Sequence, residues 1–311
     1  MSYLGEILSL LVAVFYTTTA LACEVATKRA GIKVFSFWRM ALALVFLALI
    51  VFCMTGQLFP SHVGTEGWLW LLASGIIGLF LGDWCLFKAY LTIGSRYGLL
   101  LFTLNPVFAV FSGWLLLHQR LDGSSLLAMS VTLSGIFISI LGKGDGHKLG
   151  FQLPVKGIFY GLGAAAGQGI GYVVSVVGMN HYHAHVPTAA LPELEASIPL
   201  NANLIRCFAA FACFGLWLLF SKEKEAVRRS LEDVKFLLVA VIAVLTGPIV
   251  GVTLSLVAAN YCDAGIASTL MSTTPILILV PTYYLYRQKI TPKMFLGALI
   301  TVVGVSLFFL L

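Results

Sequence analysis

Apolar residues run through this chain in long stretches, broken by short clusters of charged, proline and glycine residues. They do not alternate with polar ones as they would on half-exposed strands. Ten stretches approach the ~20 residues that cross a bilayer as a helix. They lie near 4–26, 34–54, 67–90, 97–117, 124–142, 156–179, 201–220, 235–259, 265–286 and 293–311. A polar linker, GKGDGHKLGFQLP, occupies 142–154. Two longer connections remain: 180–199, rich in His and Pro, reads as a loop, and 221–235 as a charged surface helix.

Residues 78–141 and 247–310 align without a gap at a constant offset of 169, with 11 of 64 pairs identical. Gly78 meets Gly247, Gly82 meets Gly251, Pro106 meets Pro275, Gln119 meets Gln288 and Gly135 meets Gly304. The matches fall where backbone shape is at stake, which marks an internal repeat. The first repeat spans 1–142, the linker 143–154 and the second repeat 155–311. Five spans per half is an odd number, so the halves enter the bilayer with opposite orientation, as in many secondary transporters. The predicted fold is an all-α membrane protein: about ten transmembrane helices, as two inverted five-helix repeats around a central cavity.

Composition agrees. The chain is 59% hydrophobic and 10% charged, where a soluble domain carries about 25% charged residues. A net charge of +6 therefore speaks for basic loops rather than for nucleic acid. Fifteen Lys and Arg residues fall in the loops after the odd-numbered spans, against Arg120 alone on the other side. The positive-inside rule then puts the odd loops in the cytoplasm and both termini outside. The first stretch lacks a basic n-region and runs on as a full span, unlike a cleavable signal. The six cysteines are scattered without a CxxC pair and read as small packing residues.

Chemistry inside the spans is sparse, so each polar group counts. Pro106 and Pro275 sit mid-span at equivalent positions, each removing a backbone donor. Broken helices at matching places in inverted repeats point to a binding site, and Pro106 and Pro275 are the candidate hinges. Thr103 and Asn105 lie beside one, Ser272, Thr273 and Thr274 beside the other. Asp83 lies inside the third span, where an ionised carboxylate costs on the order of 3 kcal/mol. It calls for an arginine or backbone partner on another span, or else serves proton coupling or a substrate amine. Lys88 is about 140° away round the helix, while Phe87 shares the Asp83 face. Tyr16, Gln168 and Tyr172 add polar groups suited to orienting a ligand in an apolar pocket. Arg39 and Arg206 open the second span of each half, as boundary residues that snorkel to the surface or as cations facing substrate. Glu24 and Lys28 have the spacing of a local ion pair. Glycines 163, 167 and 171, with the 78/82 and 247/251 pairs, suit close helix packing. His181, His183 and His185 would converge on a metal only in an extended strand. We assign no metal or cofactor.

The paired five-span halves, the early arginines in FSFWRMAL and NANLIRCF and the Pro106 and Pro275 spans carry a resemblance. So do the closing patterns LLLHQRLDGSSLLAMSVTLSGIFISIL and YYLYRQKITPKMFLGALITVVGVSLFFLL. Together they resemble the drug/metabolite transporter superfamily in its ten-span EamA-type form. One departure is the acidic residue common at the end of the fourth span, replaced here by His118-Gln119-Arg120 and Arg287-Gln288-Lys289. The resemblance implies a basket of helices that opens alternately to each side and moves small metabolites, often amino acids or related solutes, outward. It also implies a multi-pass protein of a bacterial inner membrane, whose partners are a small-molecule substrate, with or without a proton, and lipid. Alternatives are a nucleotide-sugar or phosphate-ester exchanger, which needs several convergent cations, and a non-transporting scaffold. A membrane enzyme is disfavoured by the lack of HExxH, GxSxG or paired-aspartate motifs, and ATP-driven transport by the lack of a GxxxxGK[ST] loop.

Overall fold

A computed structural model describes residues 3–141, 154–188, 190–221, 223–277 and 291–310. The described residues are helical, without strands. In chain order the helices are α1 (Leu4–Ala30), α2 (Ile32–Thr55), α3 (Gly64–Ser74), α4 (Asp83–Phe102), α5 (Asn105–Leu117), α6 (Gly123–Leu141) and α7 (Val155–His185). They continue as α8 (Leu191–Leu194), α9 (Ile198–Leu219), α10 (Lys224–Ser230), α11 (Val234–Val244), α12 (Val252–Ala258), α13 (Ala264–Met271), α14 (Thr274–Leu277) and α15 (Pro292–Leu310). Six helical stretches among the described residues are long and apolar enough to cross a membrane, and three more are shorter but apolar. The second half of the ninth expected span and the linker before Pro154 lie outside the described residues, as do Arg287, Gln288 and Lys289.

The repeat is visible in the irregularities of the backbone. A π-helical segment, Gly75–Gly82, joins α3 to α4, and another, Leu245–Gly251, joins α11 to α12. At the 169 offset these two segments coincide to within a residue. The breaks before α5 and α14 also coincide. Leu104 N–H donates to Leu101 and Val107 to Leu104, while Thr273 donates to Leu270 and Ile276 to Thr273. Each break is thus a short tightening of the helix ahead of a proline, in the same register in both halves. Pro106 falls in the first turn of α5, where its missing N–H has no helical partner to lose. The structure therefore interrupts the helix where the sequence suggests a mid-span kink.

The two halves are related by a two-fold operation that inverts one against the other. A Cβ on Gly135 would lie 2.4 Å from the Thr301 nitrogen, and a Cβ on Gly304 would lie 2.4 Å from the Thr132 nitrogen. These contacts exchange under the offset, and they make α6 and α15 antiparallel equivalents across the axis. The first helix of each half packs on the third span of the other. Gly171 and Gly167 of α7 meet Gly78 and Gly82, while Thr19 and Tyr16 of α1 meet Gly247 and Gly251. The repeats of the sequence are thus interleaved in space.

Between Ile93 and Leu101 the chain reverses direction. Ile93 packs on Gly157 and Leu101 on Gly161, and the Asn105 carbonyl then lies against Gly169 further along α7. The third and fourth spans are accordingly separate passes, although helical backbone bonding continues to Phe102.

Basic residues of the first connection meet acidic residues of the seventh at one end of the bundle. Arg29 forms two hydrogen bonds with Asp233, at 2.7 and 3.0 Å, and Lys33 reaches Glu223 at 2.8 Å. Glu24 and Lys28 pair at 2.7 Å, as their spacing predicts. The 180–199 stretch is less of a loop than the sequence suggests, because α7 runs on through His185. His181, His183 and His185 are therefore helical, not extended, and a strand-like convergence on a metal is lost. His181 instead faces Glu66 at 2.8 Å, and His185 lies over Gly64. All six cysteines are free.

Two predictions follow from these contacts. Gly171→Leu forces a side chain into backbone contact with Gly78 and should destabilise the fold by about 1–3 kcal/mol or more, read as a lower thermal unfolding midpoint in detergent. Gly123→Ala, at a glycine with open space around it, is the control with little change. The hydrogen bond from Arg29, then the Phe236 N–H, holds the Asp233 carboxyl below its usual range. A carboxyl with a depressed value stabilises the fold above its ordinary pKa and loses that contribution as pH falls through the lowered one. Asp233→Asn should therefore lower the unfolding midpoint at neutral pH, with the difference from wild type closing below about pH 4.

Candidate functional site

A cavity of about 160 Å³ lies between the two repeats. Its walls come in pairs related by the offset: Leu79 and Pro248, Asp83 and Val252, Leu86 and Ser255, Phe102 and Met271, Thr103 and Ser272, Asn105 and Thr274. Arg39 and Arg206 face it from α2 and α9. The cavity thus sits on the axis relating the halves, with the helix breaks and the π-helical segments around it.

Of the nine candidate binding residues, Tyr16, Asp83, Phe87, Thr103, Asn105, Gln168, Tyr172 and Ser272 line this cavity. Thr273 does not; it is buried and donates back to the Leu270 carbonyl at 2.7 Å. Thr274 takes its place, because the helix break rotates the following residue inward. Of the hinge candidates, Pro106 is buried beside the cavity. Pro275 is the second residue of α14.

Asp83 is 5% exposed and Arg39 6%. The Arg39 guanidinium donates to Asp83 Oδ2, and Gln168 Nε2 donates to Asp83 Oδ1 at 2.8 Å. Both carboxylate oxygens are therefore engaged. The guanidinium also lies 5.7 Å from the Phe87 ring centroid, a cation–π distance. Arg39 is thus no snorkelling boundary residue; the span is buried on this face, and a carboxylate on another span meets it. Arg206, 3% exposed, is equally far from being a boundary residue.

Polar side chains also satisfy the backbone groups that the π-helical segments release. Gln168 donates to the Gly78 carbonyl at 3.2 Å, and Asn203 donates to the Pro248 carbonyl at 2.5 Å and the Thr253 hydroxyl at 3.0 Å. Asn105 Oδ1 accepts from Ser268 at 2.6 Å and from Ser272 at 3.2 Å, which ties one helix break to the other half. Tyr172 donates to the Ser255 carbonyl at 2.9 Å.

Pro248, Val252, Ser255, Ser268 and Met271 escape a reading of motifs alone. One of them is legible once the offset is applied to the first half, Val252 as the counterpart of Asp83; the counterparts of Pro248, Met271 and Ser255 are Leu79, Phe102 and Leu86, apolar residues that nothing in the sequence marks. Ser268 has no such signal, since its counterpart Leu99 is apolar.

The ion pair yields a stability prediction. Asp83→Leu strands a buried guanidinium and should cost about 3–5 kcal/mol, whereas adding Arg39→Met removes the stranded charge and should restore most of that loss. Thermal unfolding of the single and double variants in detergent would measure both.

The EamA-like transporter family matches residues 3–141 and 155–310, one copy per repeat. A solved structure titled "Crystal structure of protein" superposes with a TM-score of 0.67 at 17% identity, covering 97% of this chain and 96% of that one. At that identity the likeness concerns the fold alone. No curated protein matches the sequence. With nearly the whole chain matched as two copies, and with those copies folded as inverted repeats about a cavity, the chain belongs to the EamA-like transporter family, multi-pass membrane proteins that carry small solutes.

Proposed function

We propose that the protein is a secondary carrier that binds a metabolite of about amino-acid size in the central cavity and moves it by alternating access. The observation that carries this reading is the cavity's position on the inverted-repeat axis, flanked by helix breaks in the same register. Under such symmetry the two halves can exchange conformations, so that a site on the axis faces each side in turn. Export is the direction we assign, on family grounds.

The cavity is small beside the roughly 300–1,000 Å³ pockets that hold drug-sized ligands. Its walls include Phe87, Tyr90, Phe102 and Met271. Both features favour a compact, largely apolar solute. They count against a nucleotide-sugar or phosphate-ester exchanger, as does the engagement of Arg39 by Asp83, which leaves too few convergent cations.

We assign Asp83 as the coupling group. Protonating it would break its pairing with Arg39 and weaken the bond from Gln168, which links α2, α4 and α7 in one event. A carboxyl that alternates between a proton and an arginine ties proton movement to helix movement. The test is counterflow and pH-driven uptake in proteoliposomes. Wild type and Asp83→Glu should respond to an imposed pH gradient, while Asp83→Asn with Arg39→Gln should retain counterflow at reduced rate without that response. A pH response undiminished in the double variant would remove the coupling role. Absence of counterflow for every solute class in the wild type would remove the carrier reading.

A further inference from the structure

The cavity holds three ionisable groups of clear sign: Arg39, Arg206 and Asp83. Arg39 and Asp83 neutralise each other. Arg206 has no such partner among the described residues, and the repeat-equivalent of Asp83 is Val252. Among the described residues the Arg206 side chain forms no ion pair, and its Nε is buried without a hydrogen-bond acceptor. Its position is held by packing. The Arg206 carbonyl lies where a Cβ on Gly75 would come within 2.3 Å, and Nη2 would lie 3.3 Å from a Cβ on Gly78. Asn203, one turn earlier in α9, is bonded to the segment that carries Val252. The residue lies eight positions into α9, about 12 Å along the helix.

A buried, unpaired guanidinium is costly unless something completes it. Whatever completes it must enter the cavity, since every side-chain acceptor on the walls that carries a charge is already taken by Arg39 and Gln168. Guanidinium matches a carboxylate in shape and donor spacing. Two cations and one anion leave a single positive charge. One carboxylate balances it, whereas a zwitterion leaves it unbalanced and a dianion overshoots.

Building on the carrier reading above, we propose that Arg206 is an anion subsite and that the substrate is a small organic monoanion: one carboxylate on a mainly apolar body, without a free ammonium group. The carboxylate sits on Arg206, and the body lies along the aromatic walls. Asymmetry at one repeat position, Asp83 against Val252, thus sets the charge of the cargo.

Four probes with a common 3-methylbutyl body test this in low-salt detergent buffer: 4-methylpentanoate, its amide, 3-methylbutylamine and leucine, with sodium chloride as a fifth. Binding is read by thermal shift and calorimetry on the intact carrier. The carboxylate should bind at least ten-fold more tightly than the amide, the amine or leucine, and chloride should only compete weakly. Arg206→Gln should lose ten-fold or more, and Arg206→Lys should lose less. Val252→Asp gives the second half the acid of the first; it should fold as wild type does and abolish carboxylate binding. Equal binding of leucine or the amine, chloride matching the carboxylate, or a Val252→Asp variant that binds undiminished would each overturn the proposal. So would failure of all five probes, and the wild-type counterflow experiment then decides separately whether the carrier reading stands.

Discussion

Inside hydrocarbon no water is at hand to meet a backbone group that leaves its helical bond or a side chain that carries a charge. Every departure from a plain helix in this protein must therefore be met by another part of the same chain. The π-helical segments release carbonyls that Gln168 and Asn203 satisfy. The break before α5 is joined to α13 through Asn105, Ser268 and Ser272. The charge on Asp83 is met by Arg39. These partners come from different helices, and all of them surround one cavity, so the irregular parts of the fold and its candidate site are the same place.

Inversion explains why the irregularities gather there. Each half brings its broken span and its π-helical segment to the common axis, while α6 and α15 pack on glycines across the same axis. Exchange of the first helices, α1 onto the second half and α7 onto the first, locks the halves together and also supplies Tyr16 and Gln168 to the cavity from opposite sides. Under the carrier reading proposed above, such interleaving would favour motion of packed helices against each other over separation of two domains. The glycine contacts along α7, which bring backbone to backbone, would leave a smooth surface for that motion.

Symmetry builds the cavity, and its violations give it chemistry. The offset matches Asp83 with Val252, Leu86 with Ser255 and Asn105 with Thr274 among the cavity walls. A symmetric pair of acids would neutralise both arginines and leave nothing for an anionic solute. A symmetric absence would leave two uncompensated cations in a low-dielectric space. One acid for two arginines lies between these extremes, with one ion pair and one cation left without an acid among the described residues.

Much of this was legible in the residues themselves. Span lengths, the odd number of spans per half and the equivalence of Pro106 and Pro275 follow from local composition and from an offset that needs no coordinates. Hydrophobic run length and backbone punctuation are properties of neighbouring residues, so they survive in one dimension. Asp83 was visible as an anomaly for the same reason, since a lone acid in an apolar run stands out. What tertiary structure decided was the partner of each buried group: that Arg39 meets Asp83, that Arg206 meets no acid among the described residues, that Thr274 rather than Thr273 faces the cavity, and that α7 continues through the histidines. Pairing depends on the rotation of one helix against another, and Coulomb and hydrogen-bond energies fall away within a few ångströms. No pattern along a single helix specifies that rotation; the packing of the helices together does.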